Sequence, residues 1–158
     1  MRLVVDPGTT VSATFNTADS TVHLTQAALD ALGADEAAVA FLIAREQILG
    51  FAALTGTISD LGLPSDPETA AEVWSLMGIV KAGYNPGGMV DCMNRVWVSG
   101  LQGIPVDTAL QQAFGSVTNR LSNIDAFLAQ ACGTGSPLAT DCQAVHALWQ
   151  PNLVTVPL

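Results

Sequence analysis

The spacing of apolar and polar positions changes character along the chain. At the start, Leu3–Val5 is a short extended apolar piece that Asp6-Pro7-Gly8 turns. Val11–Asn16 and Thr21–Leu24 are rich in Thr and Val, partly alternate, and flank Thr17-Ala18-Asp19-Ser20, which predicts a β-hairpin. From Gln26 onward the apolar period lengthens to that of helices. Thr25 can cap a short helix over Gln26–Leu32, with Gly33 as its stop. A long helix then starts at about Asp35 and runs to about Ala53, with acids in its first turn where the helix dipole favours them.

Thr55–Pro67 reads as a loop, and Asp66-Pro67-Glu68 as a helix start with Asp66 at the cap and Pro67 at the first helical position. That helix carries Trp74, Leu76, Met77, Ile79 and Val80 and stops at Gly83. After the turn Tyr84–Gly88 comes a helix over Met89–Val98, a loop over Gly100–Pro105, and helical patterns over Asp107–Phe114 and Ser116–Ala131. A last helix spans Thr140–Gln150 and is expected to end at Pro151. No repeat or low-complexity tract interrupts this order. The expected fold is α+β, mainly helical, with a small N-terminal hairpin or sheet.

Composition bounds the rest. A chain of 158 residues, 49% of them apolar, suits one domain over 1–158 with a core of its own. A net charge of -9, with Lys81 and four arginines (Arg2, Arg45, Arg95, Arg120) against fourteen acids, argues against nucleic acid or an anionic membrane surface as partner. The low charged fraction of 12% implies a large apolar interior or apolar surface that a homodimer or a protein partner would cover. The N-terminus lacks a signal-peptide pattern, and Arg45 and Glu46 cut the longest apolar run below the roughly 18–20 residues of a membrane span. Cys132 and Cys142 flank a turn-rich loop that a disulfide could close, whereas Cys92 falls in a helical pattern as a buried thiol. A disulfide would favour an extracytoplasmic home, and a native Met1 a cytoplasmic one.

Candidate chemistry centres on Phe41–Phe51, apolar on nearly every side yet carrying Arg45, Glu46 and Gln47 in its middle. A buried helix tolerates that only where something offsets the desolvation cost. Glu68 and Glu72 stand one turn apart at the start of the next long helix. They are either ordinary dipole partners or, with Glu46, carboxylates that two facing helices present to a common space. Trp74, Met77, Trp97 and Phe127 read as core, and His23 and His146 as a hairpin and a surface histidine without ligand spacing. Neither a Ser–His–Asp pattern nor a phosphate-binding glycine loop stands out.

From about Ser12 to about Ile124 the order of motifs resembles the catalytic core of the HtpX-like and CAAX-prenyl-endopeptidase-like zinc metallopeptidases. Their pattern is strand, short helix, H-E-x-x-H helix, E-x-x-A-D and A-G-Y-D-P. Thr21–Thr25 resembles the strand and Gln26–Leu32 the short helix. Asp35–Ala44 resembles the lead-in, and Arg45-Glu46-Gln47-Ile48-Leu49 then falls on H-E-x-x-H without a gap. Glu68-Thr69-Ala70-Ala71-Glu72 falls on E-x-x-A-D and Ala82-Gly83-Tyr84-Asn85-Pro86 on A-G-Y-D-P. Phe114-Gly115 stands where the family often has His-Pro, and Arg120-Leu121 on its later Arg-Ile; residues 125–158 are additional C-terminal helices.

The resemblance implies a metallopeptidase-like core with the sheet packed on the former active-site helix, and its departures imply a dead site. Zinc needs two imidazoles one turn apart and a carboxylate, but the former ligand positions hold Arg45, Leu49 and Glu68. An arginine stays protonated and leucine is hydrocarbon, so no metal or other cofactor is expected, and Glu46, in the general-base position, is vestigial. Arg45 is expected to replace the lost cation between Glu46 and Glu68. The implied function is binding of a peptide or protein in a cleft of Arg45, Glu46, Leu49, Glu68, Glu72 and Tyr84, with Val11–Asn16 as a strand edge. The alternative is a metal-independent enzyme with Glu46 as acid or base and Arg45 holding an anionic group.

Overall fold

A computed structural model describes residues 2–55, 67–97, 119–129 and 139–153. These form an α+β fold, mainly helical, of three strands and six helices among the described residues. The strands are β1 (Arg2–Asp6), β2 (Ala13–Asn16) and β3 (Thr21–Thr25). The helices are α1 (Gln26–Leu32), α2 (Glu36–Thr55), α3 (Pro67–Lys81), α4 (Gly87–Cys92, continued by a π-helical turn over Met93–Trp97), α5 (119–129) and α6 (Ala139–Leu153).

The hairpin forms as its residues predict. Asn16 Oδ1 accepts from the Ala18 amide at 3.0 Å, a side-chain turn, and Ser20 takes the left-handed conformation (φ 56°) that brings the chain back as β3. β3 lies in the middle, antiparallel to β2 and parallel to β1, so β1 and β2 are both edges. The register puts Val22 and Leu24, both fully buried, on the face turned to the helices.

Short-range chemistry sets the helix ends. Thr25 Oγ1 accepts from the Ala28 amide at 3.2 Å, and Gly33 (φ 63°) closes α1 by donating to Leu29 O. Asp35 Oδ1 accepts from the Ala38 amide at 3.0 Å and caps α2. At the end of α3 the amides of Gly83 and Tyr84 donate to Val80 O and Ile79 O, a Schellman pair for which Gly83 takes φ 90°.

α2 is the axle. It packs against α3, α4 and β2, and α6 packs on α3 and α4. The core gathers Leu24, Phe41, Leu42, Leu76, Met89 and Trp149, all nearly or fully buried. Two glycines permit backbone-close approaches to α2. A Cβ on Gly50 would overlap the Phe15 ring of β2, and one on Gly88 would run into the Ala37 backbone.

Several expectations need correction. α4 begins at Gly87, two residues before the expected Met89, because Asn85 O and Oδ1 take up the free amides of Gly88 and Gly87. α6 continues to Leu153 through Pro151. A proline removes only its own amide from the helical ladder, so flanking bonds can carry one more turn. α2, with 20 residues, is long and apolar enough to cross a membrane by length and composition, the one such helix among the described residues. A core helix can share that length and composition, and α2 packs against α3, α4 and β2. Cys92 is a free, buried thiol, and Cys142 is disulfide-bonded. Its expected partner Cys132, the loops over Thr55–Pro67 and Gly100–Pro105, Asp66, the helix over Asp107–Phe114 and Phe114-Gly115 lie, wholly or in all but their end residues, outside the described residues.

Candidate functional site

α2 carries Arg45 and Glu46 at its centre, within a mostly apolar stretch. Both are buried. The Arg45 guanidinium donates through Nη1 to Glu46 Oε1 at 2.7 Å and through Nη2 to Glu68 Oε2, and its Nε lies 3.8 Å from Glu72 Oε1. Proline at the first position of α3 and the helical period then place Glu68 and Glu72 one turn apart on the side facing α2.

A second cation joins the cluster. Arg120, at the start of α5, sets its Nη2 2.8 Å from Glu72 Oε1 and 3.2 Å from Glu68 Oε2. Among the described residues, two guanidiniums thus share three carboxylates. The carboxylates differ in exposure: Glu72 is fully buried whereas the Glu68 side chain is 49% exposed. Glu68 therefore closes the cluster at the solvent side, and Glu72 anchors it inside. Glu72 is consequently no ordinary first-turn dipole partner, because a fully buried carboxylate is retained only where cations satisfy it.

Arg45, Glu46, Glu68 and Arg120 floor a cleft of about 480 Å³ that Val11, Ser12, Ala13, Leu42 and Val96 also line. The cleft runs beside the β2 edge. The Thr25 amide donates to Ser12 O at 3.1 Å, so Ser12 faces β3 and, by strand alternation, the main-chain groups of Ala13 and Phe15 point away from it. Burial pushes the Glu46 carboxyl above its ordinary value, against the opposing pull of Arg45. Burial also pushes the Cys92 thiol up to about 12, although Arg45 opposes the rise, so this cysteine is inert at neutral pH.

Of the residues expected in the cleft, the structure brings Arg45, Glu46, Glu68 and Glu72 together, but Glu72 is fully buried and is not among the cleft's lining residues. Leu49 is half-buried one turn beyond Arg45 and does not line the cleft. Tyr84 lies elsewhere, in a separate hollow with Gly33, Glu36, Val39 and Ile43. His23 pairs with Asp6 (Nδ1–Oδ2 2.9 Å), and His146 lies 3.4 Å from Asp125. Arg120 is the member that sequence reasoning missed as a site residue. Its signals were rarity, since the chain has only five Lys and Arg, and its place on the later Arg-Ile of the resembled pattern.

The donor set does not suit zinc. Arg45 and Leu49 offer no lone pair, and no group of three or more His, Cys, Asp or Glu side chains placed to share a metal occurs among the described residues. What the arrangement can do is hold a fixed pattern of charge beside a strand edge that no described strand pairs. No family model, characterised protein or solved structure matches the chain.

Proposed function

We propose that the chain is a metallopeptidase-like domain whose metal site has given way to an arginine-centred ion cluster, and that its cleft binds an extended peptide or protein segment. The observation that carries this reading is the position of the Arg45 guanidinium. It stands on the central helix where the motif order puts a ligand histidine, and it holds the carboxylate that the same order assigns to zinc, Glu68. The cluster keeps the two helices at a separation that leaves the cleft open, and β2 offers outward amide and carbonyl groups along it.

A strand-addition site gives affinity through main-chain hydrogen bonds and selectivity through flanking side chains. Ala13→Pro removes one outward amide, which an edge strand tolerates. Capture of extended peptides from a random-sequence library should be lost in Ala13→Pro while the melting temperature stays near that of the parent. Equal capture by both proteins, or none by the parent, would refute the reading.

The raised pKa of Glu46 favours a second reading, a metal-independent enzyme with Glu46 as proton acceptor and Arg45 holding an anionic group. Turnover abolished in Glu46→Gln with peptide capture unchanged would favour it.

A further inference from the structure

β1 stands at the edge of the sheet opposite the cleft strand, and its exposure is unusual for its composition. Leu3 and Val5 are 48% and 46% exposed, although the register aligns them with Val22 and Leu24, which are fully buried. They lie on the core face of the sheet but overhang it, forming an apolar shelf that the described helices do not cover.

The strand is also self-complementary. It reads Arg-Leu-Val-Val-Asp. When two copies run antiparallel about Val4, Arg2 stands opposite Asp6 at both ends, and Leu3 stands opposite Val5 on the shelf side. A slip in either direction loses both charge pairs, and parallel pairing sets like charges side by side. The charged ends are available. Arg2 is exposed with no ion-pair partner among the described residues, and Asp6 uses Oδ2 for His23, which leaves Oδ1. Exposed edges with apolar residues and no blocking proline or bulge are templates for further pairing.

We propose that the β1 edge is a homodimer interface, in which Arg2–Asp6 of two copies pair antiparallel about Val4 and join two three-stranded sheets into one. Each sheet keeps its helices on the same side, because residues directly opposite in an antiparallel pair share a face. The two shelves then cover each other. The cleft strand β2 is left free at both outer edges, so dimerisation and cleft binding are separate properties.

Sedimentation of the full chain over a dilution series tests this. The parent should dimerise, and Arg2→Asp or Asp6→Arg should each weaken the dimer by about tenfold or more, since each turns two opposed pairs into like-charge pairs. The doubly exchanged Arg2→Asp/Asp6→Arg chain should return toward parent affinity. Both Asp6→Arg and the double exchange lose the His23 contact, so their difference isolates the pairing across the interface. A parent monomeric throughout, single exchanges without effect, or a double exchange no tighter than Asp6→Arg would each overturn the proposal.

Discussion

Two parts of α2 hold their places by different physics. Its middle is fixed by charge: Arg45 and Arg120 share Glu46, Glu68 and Glu72 in a largely buried cluster. Its ends are fixed by shape: Ala37 receives Gly88 of α4, and Gly50 receives the Phe15 ring of β2. The ionic middle fails abruptly when a buried partner is removed, because the others are left buried and uncompensated. The shape contacts fail in proportion to how far their neighbours can yield.

Arg45→Ala should have the largest effect, about 3–5 kcal/mol of stability by chemical denaturation at neutral pH. A loss under about 1 kcal/mol would mean that the arginine behaves as an exposed surface charge, and the contrast would collapse. Gly88→Ala comes next at about 2–3 kcal/mol, because the new methyl meets backbone that cannot step aside. Gly50→Ala should cost less, about 1–2 kcal/mol, since it meets only side-chain atoms of Phe15, Cδ1, Cγ and Cε1, and no backbone. Equal losses at the two glycines would show that Phe15 is as immobile as backbone.

A smaller, pH-dependent effect separates Glu46 from its neighbours. Its folded pKa lies above 4.5, so the native state binds this proton more readily than the unfolded chain does. The contribution is complete below that value and is lost as pH rises through the folded pKa. Stability of the parent relative to Glu46→Gln should therefore fall with rising pH across that window; a flat difference would contradict the burial argument. Smallest of all is Glu68→Gln, below about 1 kcal/mol, because that side chain is half in solvent.

The charged region was legible in the sequence and the shaped one was not. Arg45 and Glu46 inside an apolar helix violate a local rule, so they draw attention, whereas their link to Glu68, on another helix, was expected only from the resemblance of the two segments to H-E-x-x-H and E-x-x-A-D. Caps and stops at Thr25, Gly33 and Gly83 are also local chemistry. Arg120 is 52 residues from Glu68, and nothing local ties the two. Gly50 and Gly88 leave no trace beyond being glycines, because what they admit comes from another element. The parallel pairing of β1 with β3 was hidden for the same reason, since a five-residue strand carries no mark of its neighbour across the sheet.

We propose that Arg45 occupies the position of a metal ligand and stands in for the cation. Zinc content of purified parent and of Arg45→His/Leu49→His, which restores imidazoles one turn apart beside Glu68, tests it most directly. The account predicts no stoichiometric zinc in the parent and about one per chain in the double variant. Stoichiometric zinc in the parent, or a folded double variant that binds none, would contradict it.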